Sequence, residues 1–73
     1  MRYEPDRCRL KELYIITGIS QRQLHILTGI PESQLSDYAN NRTKMGYATA
    51  VTISKAMKLK NNEMLYTWII VDP

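Results

Sequence analysis

The stretch "TGISQRQLHILTGIPESQLSDYANNR", residues 17–42, decides how the whole chain is read, because it divides into two short helical segments joined by a glycine corner. Ser20 is a good helix N-cap, and Gln23 three residues later completes a capping-box pattern. Leu24, Leu27 and Thr28 share one helix face. Gly29 ends the segment, since glycine enters the left-handed conformation without steric cost. Pro31 opens the next segment, where a missing N–H is harmless. Leu35, Tyr38 and Ala39 form its inward face, and Asn40-Asn41 stops it because asparagine tolerates left-handed backbone. A helix, a tight turn and a crossing helix make a helix-turn-helix. The pattern also fits any helical hairpin, so two readings stand: residues 31–39 enter a DNA groove, or two helices merely pack in a small domain.

Working outward, Leu10, Leu13, Tyr14 and Thr17 repeat at helical spacing, with Asp6 as N-cap and Gly18 as stop. They predict a first helix over 7–17, carrying Cys8. Tyr47, Ala50, Val51, Ile53, Ala56 and Met57 predict a fourth over 47–58, and Met64 with Leu65 a short fifth from Lys60 or Asn61. "YTWIIV", residues 66–71, is aromatic or β-branched almost throughout, which favours a strand. The expected architecture is all-α: a single domain over 1–73, a compact five-helix bundle, with a short C-terminal β-strand as an addition.

Composition narrows the function. Seventy-three residues hold one domain. The N-terminal ten residues are charged, unlike a signal peptide, and no run reaches the ~20 apolar residues of a membrane span. Cys8 is the only cysteine and His25 the only histidine, so neither a disulfide nor a metal set is expected. No acid, base and nucleophile set converges in the sequence, so no enzyme, no cofactor and no small-molecule ligand is expected. His25 reads as a packing residue, Cys8 as a semi-buried thiol, and the serines as caps or exposed hydroxyls. Ten Lys and Arg against seven Asp and Glu leave a formal charge of +3, which suits a nucleic-acid partner without demanding one. The expected compartment is cytoplasmic.

"RLKELYIITGISQRQLHILTGIPESQLSDYANNRTK" resembles the phage repressor/Cro class of helix-turn-helix proteins, the XRE family. The likeness continues through Lys55-Ala56-Met57 to Asn62-Glu63-Met64-Leu65. It implies a lambda-repressor-like fold with residues 31–39 as recognition helix in the major groove. On that resemblance Glu32, Ser33 and Asp37 match base-reading positions, flanked by Gln34 and Ser36. Gln21 matches a phosphate-contacting glutamine beside Arg22. Asn40, Arg42 and Lys44 match a connection that runs along the backbone, and the amides of Gly46 and Tyr47 could hold another phosphate.

The chain departs from the family pattern at named places. Tyr14 and Ala39 stand where most relatives carry an arginine–glutamate pair, an exchange that is often neutral for stability. His25 replaces an alanine and should splay the helices or lean to solvent. Lys58 replaces the glycine usual after the fourth helix, and Met45 a common proline. Most consequential are Glu32 and Asp37, two carboxylates facing a negative groove. Carboxylates accept from cytosine N4, and acids also simply stabilise helix N-termini. Arg22, Arg42 and Lys44 from each of two subunits would set about six cations against them, near the ~6–10 phosphate contacts of ordinary binders.

These readings converge on a sequence-specific DNA-binding regulator of bacterial or phage type, a repressor by operator occupancy. Its expected form is a homodimer on a palindromic double-stranded operator, paired through Trp68, Ile69, Ile70 and Val71; the other reading of this tail is that it folds back over the core, with Trp68 covering the first and fifth helices. The alternative is a protein-interaction module whose acidic third helix meets a basic partner, since fold alone does not fix function.

Overall fold

A computed structural model describes residues 1–72; Pro73, within the tail segment 66–73, lies outside the described residues. The chain runs β1 (Arg2–Cys8), α1 (Leu10–Thr17), α2 (Gln21–Thr28), α3 (Glu32–Ala39), α4 (Tyr47–Ala56), a single 3-10 turn (Asn62–Leu65) and β2 (Tyr66–Val71). This is a small α/β fold, 53% helical and 18% strand, and it corrects the expectation of an all-α five-helix bundle. Two elements make the difference. The fifth helix is a 3-10 turn, and residues 2–8 form a strand where a helix was expected to begin.

β1 and β2 pair antiparallel, with Arg2 opposite Val71, Tyr3 opposite Ile70, Glu4 opposite Ile69 and Pro5 opposite Trp68. The alternation in "RYEPDRC" is brief and rests on Tyr3 and Pro5 alone, and a proline weakens any strand reading. The segment is extended because β2, rich in β-branched residues, offers it a ladder. An irregularity between Pro5 and Cys8 is bridged by Thr67, whose hydroxyl accepts from the Arg7 N–H at 3.0 Å. Helix α1 therefore starts at Leu10, with Arg9 rather than Asp6 at its N-cap position, and Cys8 lies buried on the strand, not on the helix.

The helical corners follow the local chemistry closely. Both halves of the Ser20–Gln23 capping box form: the Gln23 N–H donates to Ser20 Oγ at 3.1 Å and the Ser20 N–H to Gln23 Oε1 at 2.8 Å. The tripeptide Thr-Gly-Ile closes both α1 and α2. In each case the threonine hydroxyl donates at 2.7 Å to the carbonyl four residues back and accepts at 3.2 Å from the isoleucine N–H. The glycines hold φ of 73° and 77°, a left-handed state that explains the residue type, since no neighbouring atom crowds either position.

One core serves all of these elements. Leu10, Leu13, Leu24, Leu35, Ile53 and Leu65 are fully buried, and Tyr38, Ala39, Met57, Cys8 and Tyr66 nearly so. Two residues expected on inward faces are exposed instead, Leu27 at 60% and Tyr47 at 79%. At ~3.6 residues per turn, Leu27 lies about 60° round its helix from Leu24, and Tyr47 about 120° round its own from Ile53. Among the described residues, no helix is long and apolar enough to cross a membrane.

Two residues stand in unfavourable settings. Lys58 adopts φ of 57°, so a lysine fills a left-handed position that glycine would occupy without cost. Tyr14 packs against the core, but its hydroxyl is buried without a hydrogen-bond partner among the described residues. Burial, helped by the charges of Cys8 and Glu32, pushes its pKa from 10.0 to about 12.

Lys58→Gly should therefore raise stability by about 1 kcal/mol, because left-handed backbone costs other residues roughly 1–2 kcal/mol and glycine's freedom when unfolded offsets part of that. A higher urea midpoint at unchanged slope is the check. Tyr14→Phe should be at least as stable at neutral pH, because an orphaned buried hydroxyl costs about 1–3 kcal/mol. In the parent, the unfolded chain surrenders the Tyr14 proton first, so stability is full below about pH 10 and falls as pH rises toward about 12. Melting temperatures across that window should decline less steeply in the phenylalanine variant.

Candidate nucleic-acid interface

Helix α3 is held by its neighbours on three sides. Leu35, Tyr38 and Ala39 anchor it in the core. At its start, the Gln21 side-chain amide donates to the Glu32 carbonyl at 3.4 Å, tying the first turn of α2 to the first turn of α3. In the corner, His25 Nδ1 lies 2.6 Å from the Ile30 carbonyl. A carbonyl has no proton to give, so Nδ1 carries the hydrogen. His25 is half-buried and fastens the turn between α2 and α3.

This leaves Ser33, Ser36 and Asp37 along the side of α3 opposite its buried residues, with Glu32 and Gln34 exposed beside them. The base-reading candidates are therefore brought onto one surface, though not all are free. Gln34 donates to the Tyr38 hydroxyl at 2.6 Å, which lays it along the helix. Asn40 donates to the Ser36 carbonyl at 2.9 Å and to its hydroxyl at 3.2 Å. Asp37 is paired with Arg42, Nη1 to Oδ1 at 3.1 Å. Ser33 and Glu32 keep side chains without such ties among the described residues.

The phosphate candidates surround that surface. Arg22 is exposed at the start of α2, and Lys44 is exposed in the connection after α3; neither makes an ion pair among the described residues. Gly46 is the N-cap of α4, with extended backbone and no side-chain cap, so the first amides of Tyr47 and its neighbours face outward unpaired. Such amides favour anions through both their hydrogens and the helix dipole.

The connection itself is braced by contacts that the sequence does not announce. Asn41 sits at φ of 60°, and its Oδ1 accepts from the Cys8 N–H at 2.8 Å. The Met45 N–H donates to the Tyr66 hydroxyl at 3.1 Å. The loop bearing Arg42 and Lys44 is therefore stitched to β1 at one end and to β2 at the other. Burial raises the Tyr66 phenol above its ordinary pKa, opposed by the Met45 amide, so the oxygen remains a neutral hydroxyl well above neutral pH. The left-handed backbone of Asn41 agrees with its reading as a helix stop, but its strand partner is invisible in sequence.

The N-terminal cations form their own pairs away from this surface. Arg7 and Arg9 both reach Glu12, at 3.4 and 3.2 Å, and Arg2 reaches Glu4 at 3.0 Å. Burial raises the Cys8 thiol pKa, which keeps it protonated and a poor nucleophile. Among the described residues, no three metal-binding side chains converge.

Of the four dimerisation candidates, Trp68, Ile69 and Ile70 are exposed and Val71 is half-buried. Trp68 rests edge-on against Tyr66, and its indole N–H donates to the Glu63 carbonyl at 2.8 Å. No protein-family model, curated protein or solved structure matches the chain.

Two substitutions separate the roles of Asn41. Asn41→Gly keeps the backbone at ease but loses the bond to β1, and should cost about 1 kcal/mol. Asn41→Ala adds left-handed strain and should cost roughly 1–2 kcal/mol more. Urea unfolding gives both values, and in either variant the Cys8 amide should exchange hydrogen faster than in the parent.

Proposed function

We propose that this chain is a sequence-specific DNA-binding regulator of the repressor/Cro (XRE) type, acting in the cytoplasm by occupying its operator. The observation that supports this most is spatial. A short, firmly seated helix presents Ser33, Ser36 and Asp37, and Arg22, Arg42, Lys44 and the open start of α4 flank it. Small hydroxyls, with the Glu32 carboxylate at the helix start, suit base edges, while cations and amides around them suit phosphates. Glu32 would accept from a cytosine amine rather than seek the backbone. With Arg42 paired to Asp37 in the free protein, the free attraction rests first on Arg22 and Lys44.

A homodimer would place two α3 helices about 34 Å apart on a palindrome. The sheet offers an edge for it. The outer edge of β1 carries Arg2, Glu4, Pro5, Asp6 and Arg7, features that block strand addition. β2 carries no charge and no proline from Tyr66 to Val71, so a second copy can extend the ladder through it. Two paired sheets would then form four antiparallel strands.

A second reading, a protein-interaction module, draws support from a different surface. Ile15 and Ile16 of α1 and Ile26 and Leu27 of α2 are all exposed, from 60% to 84%, and Arg22 is the only charged side chain in residues 13–31. An apolar area of that kind is a feature of protein contacts.

Mobility shift against genomic fragments at low and moderate salt separates the readings. Salt-sensitive retention with preference for one sequence favours the regulator, and no retention favours the module. Arg42→Ala should weaken every duplex alike and lower the salt slope by about one per protomer, whereas Ser33→Ala should change which sequence is preferred. Ile70→Lys, placing charge on the open strand, should shift sedimentation from dimer toward monomer.

A further inference from the structure

Arg42 differs from the other cations of the interface in having an acidic partner among the described residues. Its Nη1 donates to Asp37 Oδ1 at 3.1 Å, and its backbone N–H donates to the Asp37 carbonyl at 2.9 Å. The guanidinium therefore lies back along the last turns of α3 instead of reaching outward as Lys44 does. Both partners are solvated, the arginine side chain 64% and the aspartate 44% exposed, so the pair is of the weak, exchangeable kind. A DNA phosphate offers the same guanidinium two acceptor oxygens and a releasable counterion atmosphere. Asp37 Oδ1 is already engaged by Arg42 before any base edge is presented, and the pair holds the carboxylate toward the end of α3.

We propose, on the footing of the DNA-binding reading above, that Asp37 is a positioning residue and not a base reader. It holds Arg42 against α3 in the free protein and yields it to a phosphate when the helix enters the groove. Every complex then forms in competition with this pair, whatever the sequence. Asp37 lowers affinity for all duplexes equally, and discrimination falls to Ser33 and Glu32. The device restrains non-specific binding by a chain whose surface is otherwise basic, without occupying a base contact.

The test is a double-mutant cycle of Asp37→Asn and Arg42→Ala, titrated with two labelled duplexes of unrelated sequence across a salt series. Asp37→Asn should tighten binding to both duplexes by a similar factor, up to about five-fold, the range of a surface ion pair. Its salt slope should steepen by up to about one per protomer. Both gains should be clearly smaller in the Arg42→Ala background, where only the carboxylate's own repulsion of phosphate is left to relieve. A gain as large without Arg42 as with it, a changed ranking of the two duplexes, or no change at all would overturn the positioning role. Failure of the parent and Asp37→Asn alike to bind either duplex would remove the DNA-binding reading and this inference with it.

Discussion

Six fully buried side chains organise this molecule, and every helix and the 3-10 turn contributes at least one: Leu10 and Leu13 from α1, Leu24 from α2, Leu35 from α3, Ile53 from α4 and Leu65 from the turn. A chain of this length has material for one apolar centre, so no element can move without emptying part of it. The elements are short, eight to ten residues for the helices, and helices of that length are marginal alone. Their persistence comes from the shared centre and from corners that satisfy their own backbone groups.

What the core does not reach must be held by hydrogen bonds. The connection after α3 is polar and exposed, and it is fixed because Asn41 grips β1 and Tyr66 grips the Met45 amide. The two-stranded sheet, which would be unstable by itself, gains its footing through Cys8 and Tyr66 in the core. Sheet and loop support each other. The surface proposed to meet DNA is thus positioned partly by strands from the two ends of the chain.

Electrostatics at that surface is a matter of small differences. Two carboxylates face outward, but one is already compensated by Arg42, so the opposition to a polyanion is smaller than a count of charges suggests. The compensation has a consequence: Arg42 is less available than Arg22 or Lys44. Pairing within the protein and pairing with phosphate draw on the same guanidinium.

The sequence by itself determined what depends on near neighbours. The capping box at Ser20, the glycine stops, the proline entry to α3 and the buried faces of α1 and α3 follow from interactions spanning four residues or fewer, and all are present. The mirrored Thr-Gly-Ile corners were equally local and could have been read. Periodicity failed where a face is only partly covered: Leu27 and Tyr47 lie on apolar stripes wider than the core they meet. Tertiary structure alone decided the rest. Residues 2–8 are a strand because β2, some sixty residues away, supplies the ladder, and no local preference of a charged, proline-bearing segment announces that. The same holds for Asn41, whose partner Cys8 is 33 residues away, whereas the His25–Ile30 and Asp37–Arg42 contacts span only five residues and depend on the geometry of the turns between them.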